Sequence, residues 1–418
     1  MTSIFHNKTL AGAFLVAACC AGTTEAATYY VSPGGNNSNS CATAQSTTAS
    51  SHKASIAAGV ACAVAGDTVY IHGGTYTGAD ATIDSQGHRV NSGVSFTNAI
   101  TISGYPGEIA IMQPPANVSA VRLTSGAPGY LIIQDLVMDM VNSGPGTTAE
   151  GVMLYTAHHI RMQRVDLKNG FGFGVHFGDD TPFNEILDSS IHGFGTANSA
   201  PGDGHALYIT SSDNLFQGND IYNNAGYGFH IYNNRNPHVD PCRNVIRNNR
   251  IHDNGFAAGS TTYGVVITWG DANQVYNNLI YANKAGVQLY TQSTNTLLAN
   301  NTIYGNTNEA IALQYYGGGI TVRNNIVYAN GQNIIDYGGS GAPTVDHNLT
   351  TDPGFTNAAA LDFRLNVGSA ARDTAAPLTL IAGDYDGNSR PQGSGYDIGA
   401  LEALMKQTLS APTNLRLQ

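Results

Sequence analysis

One short pattern recurs along the middle of the chain, from about residue 130 to 350. Each copy holds an apolar residue, two or three polar residues rich in Asn, a second apolar residue, and an Asn near a turn. The clearest copies read VIRNNRIHDNG (245–255), QVYNNLIYANK (274–284), LLANNTIYGN (297–306) and TVRNNIVYANG (321–331). LFQGNDIYNNAG (215–226) and EILDSSIHGFG (185–195) are looser copies. Short segments of strand pattern, GVHF, ALYI, GFHI, GVVI, GVQL and AIAL, alternate with them. The closest copies are about 22 residues apart, the length of one solenoid coil built from short strands. Such a unit cannot bury its apolar face alone. It must stack on its neighbours.

Stacking places like residues over like at the strand spacing of about 4.8 Å. Ile221, Ile251, Ile280, Ile303 and Val327 share one offset and predict a core column. Asn219, Asn249, Asn278, Asn301 and Asn325 share a second, and Asn224, Asn254, Asn283, Asn306 and Asn330 a third. Asn tolerates left-handed turn geometry and bonds local backbone, and stacked Asn amides can bond one another.

Composition agrees. Charged residues are 11% of the 418 residues, against about 25% in an ordinary soluble domain. That scarcity argues against long exposed helices, whose outer faces use Lys and Glu. A net charge of −11 with no Lys/Arg run excludes a phosphate-binding surface, so no nucleic-acid partner is expected. No apolar run after the N-terminus is long enough for a transmembrane helix.

Residues 1–27 read as a signal peptide: Lys8, an apolar run from Leu10 to Cys20, then Thr24-Glu25-Ala26. Val16-Ala17-Ala18-Cys19 resembles a lipoprotein cleavage motif, so secreted, periplasmic and Cys19-anchored forms all stay open. Cys41, Cys62 and Cys242 remain after the signal. In an oxidising compartment Cys41–Cys62 is the expected disulfide, with Cys242 outside it.

The repeat resembles that of the right-handed parallel β-helix proteins, the folds that include pectate lyases. The opening TYYVSPGGNNSNSC…GDTVYIHGGTY is similar to their first coils, and DYDGNSRPQGSGYDIGALE (384–402) to their C-terminal end. The resemblance implies an all-β chain with a single right-handed parallel β-helix over 28–402, a tail or linker over 403–418, and a monomer. It also implies an exported protein that acts on a polysaccharide.

Alternation along the short strands predicts two outward columns. One holds Met153, His176, Tyr208, His230, Val266 and Gln288. The other holds Tyr155, Gly178, Thr210, Tyr232, Thr268 and Tyr290. His230, Tyr208, His176 and His205 are therefore the candidate proton-transfer groups. Tyr155, Tyr232, Tyr290, Trp269, Gln288 and Arg235 are the candidate sugar contacts. Insertions at 195–205, 233–243 and 255–263 are expected to wall a groove here. Glu150 shares the offset of His205, two coils earlier.

GDGHALYITSSDNLFQGNDIYNNAGYGFHIY (202–232) resembles a pectate lyase segment with Asp-Gly, a catalytic Lys and a calcium-binding Asp cluster. Asp203-Gly204 matches, but Tyr208 and Ile209 stand where the Lys belongs, and Ala225 to His230 replace the cluster. The expected chemistry is β-elimination from a uronic-acid-containing glycan, with His230 as base, Tyr208 as acid, and the Arg235, Arg243 and Arg247 group offsetting substrate charge. Asp203, Asp179 and Asp180 are the candidate ligands for calcium, the one cofactor suggested; a solvated or turn-forming role is the alternative reading of these acids. Two other classes stay open. Glycoside hydrolysis would need a carboxyl pair, Glu150 with Asp203 or Asp179 with Asp203. A non-catalytic glycan-binding solenoid would need neither.

Overall fold

Most strands are three or four residues long with one or two apolar positions facing inward, as in Ile186, Ile191 and Val175 of one coil region. A strand so short is stable only when paired on both sides, and the chain supplies those pairs by winding. The computed structural model describes residues 25–144, 150–179, 181–199, 203–232, 241–257, 259 and 262–404. Cys19, Asp180, Arg235 and the far tail lie outside them.

The winding makes three parallel sheets, of twelve, ten and ten strands. Apart from the first two strands of the twelve-stranded sheet, successive members of each sheet are three strands apart in sequence, so each coil gives one strand to each sheet. The twelve-stranded sheet runs from Thr28–Val31 to Thr344–Asp346. The second runs from Gly74–Thr77 to Ile326–Tyr328. The third, called here the face sheet, runs from Ile83–Asp84 to Gln332–Asp336.

The interior is a set of vertical files. Ile191, Ile221, Ile251, Ile280, Ile303 and Val327 pair in exact register. Phe216 with Ile246 and Val275, and Leu207 with Phe229 and Val265, form two more. All of these side chains are fully buried.

The Asn columns are ladders. Asn219, Asn249, Asn278, Asn301 and Asn325 each donate Nδ2–H to the Oδ1 of the next, at 2.9–3.0 Å. Asn224 through Asn330 do the same. A third ladder, Asn214, Asn244 and Asn273, stands at the remaining turn. The left-handed residue is not the ladder Asn but the one before it: Asn248, Asn277, Asn300 and Asn324 have φ of 51–59°. The Asn-Asn pair thus divides two jobs, one turning the chain and the other tying coils together.

Both ends differ from the repeat. A helix over Ile56–Val60 packs against the first strands with Ile56, Ala57 and Val60 buried, and the Cys41–Cys62 disulfide closes that segment. Cys242 instead accepts a hydrogen bond from Asp271 N at 3.2 Å. At the other end, coil strands stop at Asp346 and the chain returns along the outside. A two-stranded antiparallel pair, Phe355–Asn357 with Asp362–Leu365, lays Phe355 and Phe363 on Tyr281 and Ile326. Arg390 and Glu402 form a fully buried ion pair at 2.6 Å, and Arg390 also bonds Asn277 of the turn. This interlock accounts for the 384–402 motif.

Candidate active site

The outward file of the face sheet is continuous. Arg122, Met153, His176, Tyr208, His230, Val266, Gln288 and Ala312 pair coil to coil in that order. Beside it, Tyr232 pairs with Thr268, Thr268 with Tyr290, and Tyr290 with Gln314. A third file lies two residues before the inward Val152, Val175, Leu207 and Phe229. It holds Glu150, Phe173, His205, Tyr227, Tyr263, Ala285 and Glu309.

Rings interleave at the centre of the face. Tyr208 lies edge-on to His176, ring centroids 5.0 Å apart, and edge-on to His230 at 5.1 Å. Phe173 stacks flat on Tyr208 at 4.9 Å. Tyr232 adjoins His230 at 5.0 Å.

The three histidines differ sharply. His205 is fully buried; its Nδ1 accepts the Tyr227 N–H at 3.0 Å, and burial beside His230 holds it well below its ordinary pKa. Gly226 makes room for it, since a Cβ there would meet His205 Nδ1 at 2.2 Å. His205 is therefore a neutral strut behind the face. His230 is half-buried, with Nδ1 lacking a hydrogen-bond partner among the described residues. Burial pushes its imidazole down to about 3, so it is neutral over the physiological range. His176 is held from two sides. Its Nδ1 donates to Glu150 Oε1 at 2.7 Å, a carboxylate being acceptor-only. The Tyr155 hydroxyl lies 3.2 and 3.3 Å from its two ring nitrogens. Tyr155 reaches this place because Gly178, level with it on the next coil, has no side chain; a Cβ there would meet the Tyr155 ring at 2.4 Å.

Two clefts flank this centre. A cleft of about 400 Å³ on the N-terminal side is lined by Gln86, Asn117, Ser119, Arg122, Thr124, Met153 and Tyr155. Arg122 gives Nε–H to Asp84 Oδ1 at 3.0 Å and Nη2–H to Oδ2; Nη1 has no hydrogen bond among the described residues. The C-terminal cleft, about 690 Å³, is walled by Tyr227, Tyr232, Tyr263, Tyr290 and Tyr337, with His230, Gln288, Gln314 and Glu309.

Other expected residues lie elsewhere. Trp269 takes a left-handed turn (φ 67°) at the end of its strand and lines neither cleft. Arg243 is paired to Asp213 at 2.6 Å, and Arg247 to Gln217 and Tyr276 on the twelve-stranded sheet. Neither reaches the face. Asp179 accepts from Thr210 Oγ1 at 2.8 Å beyond the end of its strand, whereas Asp203 precedes its own. No three His, Cys, Asp or Glu side chains converge as a metal site among the described residues. The Ala225–His230 segment offers no carboxylate, and Asp180, one of the three candidate calcium ligands, lies outside the described residues.

Arg122 and Glu309 are missing from the sequence-based candidates, yet both were readable. Arg122 falls one coil before Met153 in the same file. Glu309-Ala310-Ile311 repeats the offset of Glu150-Gly151-Val152.

A family model described as a right-handed β-helix region matches residues 141–301 and 260–367. Among solved structures, pectate lyase Pel9A superposes with a TM-score of 0.61 at 16% identity, over 91% of this chain and 98% of that one. XylC in complex with xylose gives 0.55 at 11% identity, over 90% and 99%. The A-module of the Azotobacter vinelandii mannuronan C-5 epimerase AlgE6 gives 0.45 at 15%, over 69% and 91%. No curated protein matches the chain by sequence.

Proposed function

The chain belongs to the right-handed β-helix family, and on that scaffold we propose that it binds an exported or extracellular polysaccharide along the face and cleaves it by β-elimination beside a uronate. The neighbours speak to the fold alone; the chemistry rests on the site. The observation that carries it is the Glu150–His176–Tyr155 chain opening into the same cleft as Arg122. β-Elimination needs a proton acceptor, a proton donor and positive charge at the substrate carboxylate, and this cleft supplies all three.

Arg122 Nη1 donates to the sugar carboxylate and stabilises the charge that develops on it. The Tyr155 hydroxyl gives its proton toward His176 Nε2, while Glu150 holds Nδ1–H and stabilises the imidazolium, the logic of an oriented base. Tyr155 then takes the proton next to the carboxylate. That electron pair becomes the new C=C bond, the bond to the linking oxygen breaks, and a proton returned through Tyr155 neutralises that oxygen.

Hydrolysis is less well served. It needs two carboxyls about 5–9.5 Å apart. Of the pairs named from sequence, Asp179 follows the Val175–Phe177 strand whereas Asp203 precedes the Leu207–Ile209 strand paired to it, and Glu150 is engaged by His176 Nδ1 at 2.7 Å. Tyr208 and His230, the acid and base expected from sequence, lie two and three coils beyond Tyr155, where they meet the continuing glycan.

Incubation with a panel of acidic glycans tests this. An unsaturated, ultraviolet-absorbing product is expected, with Tyr155→Phe and His176→Gln each lowering kcat by about 10²–10⁴ while folding is retained. Reducing ends without that absorbance, or retention on a glycan gel without turnover, would refute β-elimination. Full activity in Tyr155→Phe with loss in Tyr208→Phe or His230→Gln would move the chemistry to the sequence-expected pair.

A further inference from the structure

The larger cleft carries a charge opposite in sign to that of Arg122. Its one charged side chain among the described lining residues is Glu309, and none of those residues is Lys or Arg. Glu309 Oε1 accepts the Tyr337 hydroxyl at 3.0 Å. Glu309 Oε2 is buried and has no hydrogen-bond partner among the described residues. The rest of the wall suits a sugar. Five tyrosines give flat apolar faces with polar tips, and Gln288 and Gln314, joined at 3.1 Å, give amide donors and acceptors.

We propose that this cleft is a subsite for a sugar residue without a carboxylate, whose faces stack on the tyrosines and whose hydroxyls bond Gln288 and Gln314, with the Glu309 charge turning acidic sugars away. The proposal rests on the reading of the face as a glycan groove and names its substrate class. The acidic residue lies against Arg122 at one end, and an uncharged residue lies in the tyrosine cleft at the other. The substrate is then a mixed polysaccharide, and an unbroken polyuronate is a poor fit. A sugar carboxylate placed about 6 Å from Glu309 would meet like-charge repulsion of roughly 1–3 kcal/mol at an intermediate effective dielectric, or about ten-fold to a hundred-fold in affinity.

Binding without turnover decides it, so its failure is separate from that of the elimination chemistry. Titration calorimetry would use the whole protein carrying Tyr155→Phe, with a neutral gluco-oligosaccharide and an oligogalacturonate of equal length. The neutral probe is expected to bind tighter, and adding Glu309→Gln should raise affinity for the acidic probe at least ten-fold while the neutral probe changes little. Tyr337→Phe keeps the charge and should keep the discrimination, which covers the case in which Glu309→Gln fails to fold. Tighter binding of the acidic probe to the parent, an unchanged ratio in Glu309→Gln, or no binding of the neutral probe would each overturn the proposal.

Discussion

Replacing Asn278 with Ala tests the physical basis of the files directly. Asn278 is fully buried, as are Asn249 and Asn301 on either side. Its Oδ1 accepts from Asn249 N at 3.0 Å and from Asn249 Nδ2 at 2.9 Å. Its Nδ2 donates to Ile246 O, Tyr276 O and Asn301 Oδ1 at 2.9–3.0 Å. Alanine strands two buried donors on Asn249, at about 1–3 kcal/mol each, so a loss of about 4 kcal/mol is expected. Asn348 offers a control. It caps the same ladder with the same two acceptor contacts, to Asn325 N and Nδ2, but it is half-exposed, so water replaces it and Asn348→Ala should cost about 1 kcal/mol. Guanidinium unfolding followed by circular dichroism measures both. The slope must be reported, because solenoids can unravel from one end rather than in one step. Equal losses in the two variants, or a loss below about 1 kcal/mol for Asn278→Ala, would refute the claim that buried amide ladders fix the coil register.

Two further outcomes follow from buried charge. His230 is depressed to about 3 in the folded chain against about 6.5 when unfolded. The unfolded chain therefore binds more protons below pH 6.5, and this stability is complete above about pH 7 and lost as pH falls toward 3, about 2 kcal/mol of it by pH 5. His205 acts in the same direction. Melting temperature from pH 7 to 4 should fall less steeply in His230→Gln; an identical slope would refute the burial of that imidazole. Arg390→Met would leave Glu402 charged and buried, at about 3–5 kcal/mol. Its effect should be local, with hydrogen exchange and protease cleavage rising over residues 353–402 and the coil strands staying protected. Uniform loss of protection would show instead that this segment is integral to the tube.

Much of the fold was legible because a wound parallel sheet turns a sequence offset into a position in space. Once Ile221 and Ile251 share an offset they must stack, and so must Tyr208 and His230. The same rule would have found Arg122 and Glu309, had the files been extended one coil earlier and one column over. The Asn-Asn turns were half legible. Their columns were plain, but which Asn of each pair is buried depends on the bend of the coil.

The sequence by itself determined the repeat, the stacking of short parallel strands into a solenoid, the inward files and the order of side chains along the face, since each is set by period alone. Tertiary structure decided depth and partnership. It sealed His205 behind the face while leaving His230 at its edge, turned Arg243 and Arg247 to another side, and set Tyr155 against His176 across the gap at Gly178. Those outcomes depend on insertions, missing side chains and the returning C-terminal segment, which come from different coils and follow no period. A periodic pattern fixes which residues are neighbours along the axis, whereas burial and charge pairing depend on everything packed around them.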